Sequence, residues 1–146
     1  MKVIGIEIKG TRLNVVVLER QVDGSNVDIT GKAKCFELEN EHEPTSVRGF
    51  MNVLHRHFDS INPVTIGILK RNANAVERNV NGTKFRPPSP LSFKLEGLIQ
   101  LYPKIDPVLV APQTISAYLK KNTGLIIQPQ YNYQQKPYEL CLYLLK

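Results

Sequence analysis

One carboxylate interrupts the otherwise apolar run Val3-Ile4-Gly5-Ile6-Glu7-Ile8. An acid inside a buried strand costs several kcal/mol unless a cation or a hydrogen-bond partner receives it, so Glu7 marks a site. A second acid, Glu96, is flanked by Phe93, Leu95, Leu98 and Ile99 in a stretch of helical pattern. Buried carboxylates of this kind hold divalent cations, or they are neutralised within the chain. Here Lys9, Lys94 or a loop arginine is available for the last role.

The other chemically suggestive stretch is basic. Lys70 to Arg86 contains five basic residues, one acid, four asparagines and the aromatic Phe85. Cations spaced along such a segment suit a phosphate backbone, and Phe85 between Lys84 and Arg86 suits stacking on a base. A long loop inside a compact domain usually carries a function. Lys70, Arg71, Arg78, Lys84, Phe85, Arg86 and Lys94 are therefore the candidate nucleic-acid contacts. The net charge of +6 is local as well: residues 1–69 carry 8 basic and 9 acidic groups, residues 70–104 carry 7 and 2. Concentrated positive charge implies an anionic partner at one place.

The chain of 146 residues is the length of one domain, with 42% hydrophobic and 22% charged residues. Its first residues lack the apolar run of a signal peptide, and no stretch is long and apolar enough for a membrane span. Cys35 and Cys141 lie in apolar contexts without a CxxC spacing, so reduced buried thiols and a cytoplasmic location are expected. No glycine-rich phosphate loop and no Ser-His-Asp or Cys-His arrangement is readable.

Strands are predicted over Lys2–Lys9, Asn14–Arg20 and Val27–Leu38, an antiparallel meander turning at Lys9-Gly10-Thr11 and at Val22–Asn26. Val47, Phe50, Met51, Leu54 and Phe58 form one apolar stripe and predict a helix over Thr45–Phe58, capped by Thr45 or Ser46. His55 and His57 fall off the stripe and read as surface residues. The continuous apolar run Val64–Leu69 predicts a central parallel strand. A long basic loop, Lys70–Pro90, follows, then a helix over Ser92–Tyr102 and a buried strand at Val108–Val110. A helix over Pro112–Asn122 comes next, and Pro137–Leu145 suits a terminal helix or a strand. Tyr131, Tyr133, Tyr138 and Tyr143 form either an exposed aromatic surface or packing for that last segment.

This α/β order, β-β-β-α-β-α-β-α-α with an acid in the first strand, resembles the ribonuclease H-like fold, and within it the bacterial DUF3010 family. Four segments carry the resemblance: Val3-Ile4-Gly5-Ile6-Glu7-Ile8-Lys9-Gly10; Lys70-Arg71 with Gly82-Thr83-Lys84-Phe85; Ser92–Leu101; and Ala111-Pro112-Gln113-Thr114-Ile115. The superfamily includes Holliday-junction resolvases and other nucleases that use two divalent metals. The resemblance implies a mixed sheet in a single domain, 1–146. It also implies that Glu7 and Glu96 are metal ligands for Mg²⁺ or Mn²⁺, and that Glu139 is a further catalytic acid on the terminal segment. Glu7 stands where aspartate is commoner, and Gln134–Glu139 carries a single carboxylate.

Two functions of different class follow. In one, the protein is a metal-dependent nuclease or resolvase-like enzyme in which Lys70, Arg71, Lys84 and Arg86 position phosphates. In the other, it is a degenerate relative that binds nucleic acid or a protein partner without cleavage. A homodimer is compatible with either.

Overall fold

In the computed structural model, which describes residues 1–71, 78–85 and 87–146, the first hairpin is the centre of the fold. β1 (Lys2–Lys9) and β2 (Arg12–Arg20) pair antiparallel from Lys2 opposite Glu19 to Lys9 opposite Arg12. Gly10 turns between them with φ of 59°, a conformation that costs glycine nothing. β5 (Thr65–Leu69) adds parallel to β1, and β8 (Val108–Val110) adds parallel to β5. On the other side, β3 (Asn26–Asp28) and β4 (Cys35–Glu37) both pair with β2.

The predicted third strand is thus two short strands. Between them Gly31 takes a left-handed turn, φ 65°, and the side chain of Thr30 replaces the missing backbone partner. Its Oγ1 accepts from the Val17 amide at 3.0 Å and donates to Asp28 Oδ1. Val15 N–H reaches past the turn to the Lys34 carbonyl at 2.9 Å. β2 therefore keeps its hydrogen bonds although its neighbour is interrupted.

Helices cover both faces. α1 (Pro44–Ile61) and α2 (Pro90–Gln100) pack their Leu54, Phe58, Leu95, Leu98 and Ile99 against Ile4, Ile6, Ile8, Val15, Val17, Ile66 and Ile68. α3 (Pro112–Lys121) and α4 (Gln135–Leu144), the latter entered through a 3-10 turn at Asn132–Gln134, lie on the opposite face. There Val3, Val16 and Leu18 meet Tyr138, Cys141 and Leu142. The terminal segment is therefore a helix. Three helices begin on proline, whose fixed φ and missing N–H suit the first helical position. Pro44 accordingly places Glu43 at the N-cap of α1, not Thr45 or Ser46; Ser46 Oγ instead accepts from Asn40 N–H.

Other departures have physical causes. β8 is the outer strand of the sheet, so Val108 and Leu109 are exposed and only Val110 is buried. The basic stretch is not all loop. β6 (Arg78–Val80) and β7 (Thr83–Phe85) pair around Asn81-Gly82, both with positive φ, the combination that a tight hairpin requires. Cys35 is exposed, while Cys141 is buried with its thiol pushed up by burial and donating to the Val16 carbonyl. No helix of the described residues is long and apolar enough to cross a membrane.

His55 and His57 are partly buried rather than on the surface. His55 Nε2 lies 2.8 Å from the Leu98 carbonyl, bracing α1 on α2. His57 packs on Phe36, with its Nε2 buried and unpartnered among the described residues.

Two tests follow. A Cβ on Gly5 would sit 2.4 Å from the Pro137 carbonyl oxygen and 2.8 Å from Cys141 Sγ. Gly5→Ala should therefore destabilise the fold by about 2 kcal/mol or more in chemical denaturation, since overpacking against backbone cannot relax by a rotamer change. A stability within about 0.5 kcal/mol of wild type would contradict the packing described here. Burial also holds the His57 imidazole below its usual 6.5. The unfolded chain then binds a proton that the folded chain resists, so stability falls as pH drops through 6.5 and below. His57→Gln should flatten the acid limb of Tm against pH.

Candidate functional site at the hairpin end of the sheet

Alternation along β1 sends Val3, Gly5 and Glu7 to the face covered by α4, and Ile4, Ile6 and Ile8 to the α1/α2 core. Glu7 is thereby carried under the start of α4, with only 6% of its surface exposed. Opposite it in the ladder is Asn14, which is wholly buried, and opposite Asn14 is Cys35, whose thiol donates to Asn14 Oδ1 at 3.6 Å. The strand register thus aligns Glu7, Asn14 and Cys35 across three strands on one face.

The segment entering α4 closes over this row. Lys136 Nζ stands 4.0 Å from Glu7 Oε2. Gln134 is wholly buried; its Oε1 accepts from the Tyr131 amide at 3.1 Å. The Nδ2 of Asn14 and the Nε2 of Gln134 are both buried without a partner among the described residues. An orphaned buried donor costs about 1–3 kcal/mol, so this end of the sheet is polar at the expense of stability. Beside it, the rings of Tyr131 and Tyr133 stack with centroids 5.7 Å apart and planes 9° from parallel. Lys34 Nζ lies 4.3 Å from the Tyr131 centroid, and the Arg12 guanidinium 5.8 Å from that of Tyr133. Burial, and then the Cys35 thiol beside it, pushes the Tyr133 phenol above its ordinary pKa. Tyr138 is buried in the core under α4, and Tyr143 packs edge-on against Tyr118.

Glu96 belongs to a different place. It lies on α2, on the opposite side of the sheet, and Arg71 Nη2 donates to its Oε1 at 3.1 Å and to the Ser92 carbonyl at 3.2 Å. The same guanidinium covers the Phe93 ring at 4.7 Å, and its Nε and Nη1 are buried without partners among the described residues. A loop arginine thus neutralises Glu96, and the Arg71 side chain is only 12% exposed. Glu139 Oε1 accepts from Gln135 Nε2, one helical turn away, at 3.0 Å.

Among the described residues, no three His, Cys, Asp or Glu side chains converge on one point that a metal could occupy. A divalent magnesium-type cation needs about six oxygen ligands. The Glu7 site offers instead one carboxylate, two amide groups with unsatisfied N–H donors and a lysine ammonium, so the residues present do not fit a two-metal centre.

Of the candidate phosphate contacts, Lys70 is exposed at the end of β5, and Lys94 Nζ donates to the Glu41 carbonyl. Arg78, Lys84 and Phe85 belong to the β6–β7 hairpin, whose register sets Arg78 opposite Phe85 and Asn79 opposite Lys84; Arg86 lies outside the described residues. Sequence reasoning missed Asn14, Gln134 and Lys136. Counting back from the Gly10-Thr11 turn would have set Asn14 opposite Glu7. Nothing local indicates that Gln134 and Lys136 reach the same spot, because α4 comes from the far end of the chain.

Removing the charge of Glu7 tests whether the carboxylate is kept for function. Burying it costs more than one largely exposed lysine at 4.0 Å returns, so Glu7→Gln should leave Tm unchanged or raise it. Lys136→Ala should lower Tm slightly, and the double variant should recover most of that loss. A clear drop in Tm for Glu7→Gln would instead make Glu7 a structural ion pair.

Solved structures that share this fold include resolvases. Thermus thermophilus RuvC in complex with a Holliday junction substrate superimposes with a TM-score of 0.66 at 14% identity, over 97% of this chain and 91% of that one. A second structure of Thermus thermophilus RuvC gives 0.62 at 12% identity, over 97% and 92%. The Fowlpox virus resolvase in complex with Holliday junction DNA gives 0.53 at 13% identity, over 99% and 97%. At these identities the likeness establishes the fold, which is ribonuclease H-like. No curated protein matches the sequence. The family model described as a protein of unknown function, DUF3010, matches residues 1–142, and the chain belongs to that family.

Proposed function

We propose that this protein is a nucleic-acid-binding domain on a resolvase-type fold, and that it binds without metal-dependent cleavage. The observation that carries this reading is Lys136. Its ammonium stands 4.0 Å from the buried Glu7 carboxylate, supplying from within the chain the positive charge that a metal centre would take from solution. Arg71 does the same for Glu96.

The nucleic-acid part of the reading is supported by the fold and by the charge distribution. Two of the structures that share the fold hold Holliday junction DNA, which makes four-way DNA the first ligand to test. The excess of basic over acidic residues in 70–104, with Lys70 exposed at the end of a central strand, suits a phosphate backbone. Phosphate contacts of this kind position a nucleic acid without reading its sequence.

A second reading, a metal-dependent nuclease using Glu7, is favoured by one observation. Among the described residues the Glu7 carboxylate makes no hydrogen bond, so its oxygens stay available as ligands.

Fluorescence anisotropy with labelled four-way junction, duplex and single-stranded DNA, in EDTA, separates the two. The binding reading expects dissociation constants around 10⁻⁶ M or tighter at low salt, weakening steeply as salt rises. It also expects no cleavage when Mg²⁺ or Mn²⁺ is added. Cleavage that requires metal and disappears in Glu7→Gln would establish the nuclease instead. So would a rise in Tm with Mn²⁺ that the same variant abolishes. A wild type that binds none of the three DNAs would sink both.

A further inference from the structure

We infer that the stacked pair Tyr131–Tyr133, with Lys34 and Arg12, is a contact for single-stranded nucleic acid, in which an unpaired base stacks at Tyr131 while the two cations take flanking phosphates. This inference rests on the proposed nucleic-acid binding and specifies where, and on which form of the polymer, it acts.

Four features of the pair support it. Tyr131 is the aromatic member of the large hydrophobic side chains left exposed among the described residues, at 44%, although it sits beside a well-packed sheet. Its ring lies nearly parallel to that of Tyr133, 9° apart at 5.7 Å, so the two form a ready-made ladder that a further flat ring can extend. The ladder is held in place before any ligand arrives. Tyr131 N–H donates to the side chain of the wholly buried Gln134, and Gln134 N–H returns to the Tyr131 carbonyl at 3.0 Å. A preorganised contact loses little entropy on binding. Finally, the cations are already at the rings: Lys34 Nζ at 4.3 Å and the Arg12 guanidinium at 5.8 Å.

The lysine over Tyr131 does not block a base. An exposed cation–π contact is weaker than the stacking of a base on an aromatic ring, so the base displaces the ammonium, which then meets the adjacent phosphate. Lys9, opposite Arg12 in the ladder, adds positive charge at the same end of the sheet. Glu37, opposite Arg12 in the β2–β4 ladder, accepts from the Thr11 hydroxyl at 3.0 Å; that donor is neutral, so the acid offsets part of this charge. A duplex, whose bases are already stacked on each other, cannot use the ladder; a frayed end, a loop or a junction centre can.

The test compares a labelled oligothymidylate with a duplex of equal length by anisotropy in EDTA. Tyr131→Leu should weaken the single strand about tenfold and leave the duplex unchanged, and Tyr131→Trp should restore binding. Lys34→Gln should reduce the slope of log affinity against log salt by about 0.7. As a measurement independent of variants, ultraviolet cross-linking of an oligonucleotide carrying 5-iododeoxyuridine to the wild type should place the adduct on Tyr131. A wild type that binds the oligonucleotide, unchanged by Tyr131→Leu and cross-linking elsewhere, overturns the ladder contact alone. Equal loss on single strand and duplex also overturns it. A wild type that binds neither overturns the proposed function together with it.

Discussion

The close approach of α4 to the sheet is the constraint on which the rest of this structure depends. Gly5 of β1 and Gly67 of β5 are register partners, so their missing side chains form one shallow trough across the two central strands. The Pro137 carbonyl and Cys141 Sγ settle over Gly5 at 2.4 and 2.8 Å from where a Cβ would stand, closer than any Cβ would allow, and methyls of Leu144 and Leu140 stand 2.7 and 3.3 Å from that point of Gly67. Because helix and strand touch there almost backbone to backbone, the residues just before Pro137 are brought down onto the end of β1. Lys136 reaches Glu7 for that reason, and Gln134 is buried for the same one.

The trough also explains why the polar residues are tolerated. A loosely docked helix would admit water, and a carboxylate and two amides would be solvated at little cost. Under a tightly docked one, Glu7 depends on Lys136 for charge, and the unpartnered amide donors of Asn14 and Gln134 are a standing cost. A hydrophobic row at these positions would be more stable. Polar groups kept at the expense of stability are characteristic of a functional site. The α1/α2 face carries a similar cost: Arg71 and Glu96 close an ion pair over Phe93 and the carbonyl of Ser92, fastening α2 to the end of β5, while Arg71 Nε and Nη1 stay without partners among the described residues.

Much of the fold was legible because its signals are local. The β1–β2 hairpin follows from two apolar runs meeting at Lys9-Gly10-Thr11, and α1 follows from one stripe ending at Asn62-Pro63, where Asn62 takes the left-handed cap. The β6–β7 hairpin is equally local, set by the turn residues Asn81-Gly82. The interruption of the third strand was less visible. It depends on Thr30 standing in for a backbone partner of Val17, an exchange that periodicity does not reveal.

By itself the sequence determined that Glu7 would be buried, since a strand apolar on both sides of it has no exposed face to turn. It also determined the element order and the concentration of positive charge in residues 70–104. Only the tertiary structure decided what Glu7 would meet. Its partner is 129 positions away in the chain, and the two acids that the resemblance grouped, Glu7 and Glu96, leave elements on opposite faces of the sheet. The alternation of a strand sets which face a residue takes, but which helix covers that face, and at what distance, is decided by long-range packing. Here that packing is made possible by two glycines in register.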